Sequence, residues 1–128
     1  MDSTKPTVVI TGVAGHLGLH LLPHLADFSV IGVDINPPKT DQPLRFVRMD
    51  LGREESCREL YHLLRETGAV AVVHLAFVLD QVRMGVYELD RMWQINVAGT
   101  ARVMEAITEA NRDAGGVQKF LFPSSVAA

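Results

Sequence analysis

Three features of the chain predict a doubly wound α/β sandwich, a parallel sheet between two helical layers. Short β-branched apolar runs alternate with segments of helical periodicity. A glycine-rich turn joins the first run to the first helix. The fourth run, Ala69 to Leu75 (AVAVVHL), is apolar almost throughout, as expected of a strand covered on both faces. Strand-helix-strand units cross over right-handed, so five strands are expected in the order 3-2-1-4-5.

The elements follow in order. Thr7 to Thr11 (TVVIT) reads as a buried strand, and Leu17, Leu21, Leu22 and Leu25 then fall on one broad helical face. Pro23 lies inside that helix and predicts a kink, because it removes one backbone bond and crowds the carbonyl of Leu19. Ser29 to Asp34 (SVIGVD) is the second strand, and Leu44 to Met49 the third, after a loop carrying Pro37, Pro38 and Pro43. From about Arg53 to Glu66, Cys57, Leu60, Tyr61 and Leu64 form one buried stripe, and Gly68 stops the helix. After the fourth strand comes a long helical segment from about Val86 to Asn111, with Met92, Ile95, Gly99, Val103, Ile107 and Ala110 inward. Gly115-Gly116 ends it, and Val117 to Phe122 is the last strand.

The 128 residues suit one domain with a real core, expected over residues 1–128. A formal net charge of −3 and the lack of a Lys/Arg cluster on any predicted helix argue against nucleic acid or an anionic membrane as partner. A small molecule is the expected ligand. The start, Met1-Asp2-Ser3-Thr4-Lys5-Pro6, has no apolar signal core, and no apolar run approaches the ~20 residues of a membrane span, so a cytoplasmic location is expected. Cys57 is the only cysteine and suits a buried helix face. No cluster with metal-ligand spacing stands out, and no metal is expected.

Chemistry concentrates where strands end. Thr11-Gly12-Val13-Ala14-Gly15-His16-Leu17-Gly18 puts three glycines across a strand-to-helix turn, where missing side chains allow a tight bend and close approach of a pyrophosphate. Free amides and the positive end of the helix dipole would attract the anion without a lysine. Asp34 ends the second strand, where a carboxylate can accept from the adenosine ribose hydroxyls and repel a 2′-phosphate, so NAD is expected over NADP. The alternative for Asp34 is a turn cap that organises Ile35 and Asn36. His74, on an apolar strand, reads as a satisfied core residue rather than a base.

The spacing Gly12-x-x-Gly15-x-x-Gly18 resembles that of the short-chain dehydrogenase/reductase superfamily, in its extended, NAD-dependent epimerase/dehydratase branch. Further segments match that family in order: Val33-Asp34, Asp50-Leu51, His74-Leu75-Ala76-Phe77, Asn96-Val97-Ala98-Gly99-Thr100 and Phe120 to Ala128 (FLFPSSVAA). The resemblance covers essentially the whole chain.

It implies a Rossmann-type fold with NAD as cofactor. Gly12, Gly15, His16, Leu17 and Gly18 would form the phosphate turn, and Asp34 with Ile35 the ribose end. Asp50 and Leu51 would frame the adenine, although Asp50 also suits a residue near a helix N-cap. Leu75, Ala76 and Phe77 would line the cleft, and Asn96 would flank the nicotinamide end or serve helix packing alone. Ser125 aligns with the catalytic hydroxyl. The family's catalytic Tyr and Lys would lie beyond Ala128, and Tyr61 and Tyr87 do not replace them, since Arg65 and Arg91 stand four residues later. The chain is therefore expected to be the NAD-binding portion of an oxidoreductase acting by hydride transfer on a hydroxylated substrate such as a nucleotide sugar. The alternative is a non-catalytic dinucleotide sensor. An open edge on the last strand is compatible with a homo-oligomer.

Overall fold

The computed structural model describes residues 4–78 and 86–124. Five parallel strands form one sheet in the order β3-β2-β1-β4-β5, as expected: β1 (Thr7–Thr11), β2 (Ser29–Asp34), β3 (Arg45–Arg48), β4 (Ala71–His74) and β5 (Lys119–Leu121). The helices are α1 (His16–Leu21), α2 (Ser56–Thr67), α3 (Val86–Met92) and α4 (Gly99–Asp113). Strands β3, β4 and β5 are shorter than the predicted segments, although inter-strand backbone bonds continue at Met49, Val70, Leu75 and Gln118.

The central strand explains the layers. Side chains alternate across β1: Val9 packs with Ile31, Val72, Leu60, Leu64, Val103 and Ala106 under α2 and α4. Val8 and Ile10 pack with Val13, Leu22 and Val30 on the α1 side. Both faces of β1 are thus dry, which is why TVVIT shows no polar alternation. Gly68, at φ 66°, closes α2 by donating its N–H to the Leu64 carbonyl, and Gly115 and Gly116 follow α4 at φ 70° and 128°.

Three expectations need correction. Helix α1 does not continue through Pro23 with a kink; it stops at Leu21 and tightens into a 3₁₀ turn over Leu22–His24, with Leu25 N–H bonding the Leu22 carbonyl. Proline lacks the donor that an α-helical turn needs there. Leu17 is not on the inner face but 54% exposed. Gly18 takes the inward position, because a Cβ there would lie 2.7 Å from the Val13 carbonyl oxygen. Finally, the long helix is not regular: Trp93–Ala98, between α3 and α4, is wound as a π-helix. The widened turn leaves the Gln94 carbonyl to Arg102 Nη1 (3.1 Å), which also donates to the Leu51 carbonyl (2.9 Å).

One buried polar chain ties β1, β4 and this helix together. Thr11 Oγ1 accepts from the amides of Leu75 (3.1 Å) and Ala76 (3.3 Å), so its proton goes to His74 Nδ1 at 2.6 Å. His74 Nε2 then donates to Thr100 Oγ1 (2.9 Å), which donates to the Asn96 carbonyl (2.7 Å). His74 is fully buried, satisfied at both nitrogens and neutral, and burial lowers its pKa from 6.5 to about 4. The sequence reading of a satisfied core histidine agrees with this.

The pH consequence has a definite sign. Between about pH 6.5 and pH 4 the unfolded chain binds a proton that the folded His74 refuses, so stability is present above that window and is lost as pH falls through it. Urea unfolding should show roughly 2–3 kcal/mol of His74-dependent loss between pH 7 and pH 4.5. His74→Gln should be less stable at pH 7, with that part of the acid loss missing. An equal acid loss in the variant would count against this assignment.

Candidate functional site

The strand ends of β1, β2, β3 and β4 surround one groove of about 150 Å³, lined by Gly12, Gly15, Asp34, Asp50, Leu75 and Ala76 among others. That is smaller than the ~300–1,000 Å³ of a pocket enclosing a whole drug-sized ligand. The groove fits one end of a larger molecule.

Its floor is a close backbone approach. Gly12 has φ +72°, and a Cβ there would stand 2.6 Å from the Leu75 carbonyl carbon and 2.7 Å from the Ala76 nitrogen. No side chain fits. The Gly12 N–H bonds the Val33 carbonyl (2.7 Å) and the Gly15 N–H bonds Gly12 (3.1 Å), so the turn is internally fixed. Helix α1 makes its first backbone bond from Leu19 to Gly15 (3.0 Å), leaving the amides of exposed His16 and Leu17 in the first turn without intrahelical partners. Gly18 does not line the groove; it lets α1 pack onto the turn.

Asp34 divides its work. Oδ1 accepts from the amides of Ile35 (2.7 Å) and Asn36 (3.2 Å), which is the turn-capping arrangement, while Oδ2 accepts from Ala14 N–H (2.9 Å) in the glycine turn. The carboxylate thereby fixes the end of β2 to the loop of β1 and still lines the groove. Ile35 lines it too and is 39% exposed. Beside it Arg48, paired in register with Asp34 across β2 and β3, donates to the Ile35 carbonyl.

Asp50 lines the groove from just beyond the neighbouring strand, β3. Its Oδ1 accepts from Gly52 N–H (2.8 Å), and Arg91 Nη2 lies 3.3 Å from both carboxylate oxygens. Leu51, only 4% exposed, provides the apolar wall with Met49 and Ile95. From β4 come Leu75, Ala76, Phe77 and Val78. Asn96 does not line the groove. It accepts from Val78 N–H at Oδ1 (2.7 Å) and donates to the Val78 carbonyl from Nδ2 (2.8 Å), a two-point clamp on the backbone leaving β4. Ser125 lies outside the described residues.

The structure thus gathers Gly12, Gly15, Asp34, Ile35, Asp50, Leu51, Leu75, Ala76 and Phe77 in one groove, with His16 and Leu17 beside it and Gly18 and Asn96 behind it. Sequence reasoning missed Arg91 and Arg102. Asp50 and Leu51, which they reach, are 41 and 51 residues away, and Arg102 also meets Gln94 eight residues earlier. Thr11 and Thr100 were legible only as members of segments that match the family; a threonine four residues after Asn96 in a helix was the available hint. Cys57 sits away from the groove in the cleft between α2 and α4, half-buried, its pKa raised by burial and by neighbouring Glu105. Among the described residues no group of three or more His, Cys, Asp or Glu could hold a metal ion, and no helix is long and apolar enough to cross a membrane.

Solved structures share this architecture. A short-chain dehydrogenase/reductase superfamily protein from Agrobacterium tumefaciens, solved with bound NAD, is 29% identical with a TM-score of 0.73, over 93% of this chain and 32% of that one. MoeE5 in complex with UDP-glucose and NAD is 33% identical with a TM-score of 0.72, over 93% of this chain and 36% of that one. A nucleoside-diphosphate-sugar epimerase from Agrobacterium tumefaciens, at 23% identity and a TM-score of 0.76 over 96% of this chain and 38% of that one, shares the fold. The chain spans about a third of the length of these proteins. No curated protein matches it in sequence. The model of the NAD dependent epimerase/dehydratase family matches residues 8–128, essentially the whole chain, and the chain belongs to that family.

Proposed function

We propose that residues 1–128 form the NAD-binding portion of an oxidoreductase of the epimerase/dehydratase type, acting on a hydroxylated small molecule, a nucleotide sugar by preference. One observation carries the reading: a groove floored by a side-chain-free turn and lined by two carboxylates, Asp34 and Asp50, from the ends of adjacent strands. The residues present fit a dinucleotide. Gly12 and Gly15 would leave the backbone open to a pyrophosphate, and the amides of His16 and Leu17, free of intrahelical partners, would attract it with the positive end of α1.

Asp34 would bind the ribose hydroxyls with the acceptor capacity left on its two oxygens, while its charge disfavours a 2′-phosphate. Asp50 would accept from the adenine amino group, with Leu51 and Ile95 against the ring. Ala76 and Phe77 would flank the path toward the nicotinamide, and the Asn96 clamp holds that backbone in place. When bound, NAD supplies the hydride acceptor. Ser125 would hold the substrate's reacting oxygen by a hydrogen bond. The substrate class is supported by MoeE5, whose complex contains UDP-glucose and NAD.

Calorimetric titration with NAD, NADP and FMN tests the cofactor assignment: NAD should bind tightest, and a preference for FMN would overturn it. Gly12→Ala should abolish NAD binding, since the new methyl group would meet backbone rather than a movable side chain. Retained affinity would sink the role of the turn. Asp34→Ala should lose about tenfold in NAD affinity with little loss for NADP, narrowing the preference. Because Asp34 also holds Ala14, the variant's melting temperature is measured alongside, and it is the NAD/NADP ratio that decides.

A further inference from the structure

We propose that Arg91 sets base specificity in the nucleotide groove, as a positioning residue that holds the Asp50 carboxylate in the orientation that accepts from a 6-amino purine. The proposal rests on the dinucleotide reading above and adds a residue that no local sequence motif marks.

A carboxylate turns easily about its last bond, whose torsional wells are broad and two-fold. Asp50 is held against that rotation from two sides. Gly52 N–H fixes Oδ1 at 2.8 Å, and Arg91 Nη2, arriving from α3, spans Oδ1 and Oδ2 at 3.3 Å each. Room for the guanidinium comes from Gly52: a Cβ there would stand 2.7 Å from Arg91 Nη1, 3.0 Å from Asp50 Oδ1 and 3.1 Å from Ile95 Cγ1. Among the described residues only Arg91 meets Oδ2, so this oxygen keeps acceptor capacity on the groove that Asp50 lines.

The ion pair is a weak stabiliser of the fold. Its side chains are 45% and 28% exposed, and such surface pairs contribute little. Its effect lies in orientation. A fixed acceptor matches the exocyclic amino group of adenine and opposes the 6-oxo group of hypoxanthine, where two acceptors would face each other. Without the guanidinium the carboxylate can swing away, and the two bases become more alike to the site.

The experiment titrates the protein calorimetrically with NAD and with nicotinamide hypoxanthine dinucleotide, comparing unsubstituted protein with Arg91→Met, Arg91→Lys and Gly52→Ala. The unsubstituted protein should favour NAD. Arg91→Met should lose about tenfold in NAD affinity and little for the hypoxanthine analogue, so that their ratio collapses. Arg91→Lys should restore part of the ratio, since an ammonium supplies charge without the planar fork. Gly52→Ala, whose methyl group would crowd both the guanidinium and Asp50 Oδ1, should lower the ratio as well. A merely structural arginine would weaken both ligands equally, and that result, or an unchanged ratio in Arg91→Met with NAD binding intact, overturns the role of Arg91 alone. No NAD binding by the unsubstituted protein would overturn the dinucleotide reading and this proposal together.

Discussion

The groove exists because the turn after β1 lies directly against the backbone that leaves β4. Gly12 makes this approach possible by having no side chain, and Thr11, one residue earlier, secures it by accepting two amides from the far side. Everything on the nucleotide side hangs from this junction. The Gly12 and Val13 amides reach across to the Val33 carbonyl, bringing the end of β2 and Asp34 to the same place. Parallel strands end together, so Asp34 at the end of β2 and Asp50 just after β3 arrive in one cleft.

The fold was legible in the sequence where one local signal sufficed. The unbroken apolar run of β1 is buried on both faces, that of β4 is buried on one face and partly covered on the other, and the Leu60 and Leu64 stripe of α2 points inward as its spacing requires. Two local rules gave misleading detail. Leucine periodicity put Leu17 inside, although the stripe that packs α1 onto the turn is led by Gly18, and contact there is made by the absence of a side chain. Pro23 was read as a kink, but in a helix only six residues long the lost donor ends it. The π-helical turn at Trp93–Ala98 carries no sequence signature that was read, although Arg102, which takes up the Gln94 carbonyl, lies only eight residues beyond it.

The site was legible to a similar depth. Residue types at strand ends pointed to Asp34 and Asp50, and both line the groove. What the sequence left open was whether each carboxylate serves the backbone or a ligand, and the geometry shows why the alternatives were not exclusive. Asp34 caps Ile35 and Asn36 with one oxygen and ties down Ala14 with the other. Asp50 holds Gly52 and also meets Arg91. A carboxylate has about four acceptor sites, so capping does not exhaust it. Both ends of the Asn96 amide are taken by Val78, so it holds the backbone that leaves β4.

That frame is satisfied in its own hydrogen bonds. From the amides of Leu75 and Ala76 through Thr11, His74 and Thr100 to the Asn96 carbonyl, each donor finds an acceptor, and the Asn96 side chain then clamps Val78. A neutral His74 is what makes the chain consistent, because a protonated ring would present a donor at Nδ1 to the hydroxyl that must donate there. Buried networks of this kind rigidify what they connect, and here they connect two strand ends and the long helix. A ligand entering the groove therefore meets walls that are already ordered. Little of its binding free energy is spent on arranging them, since Asp34 and Asp50 are themselves held by backbone amides and by Arg91.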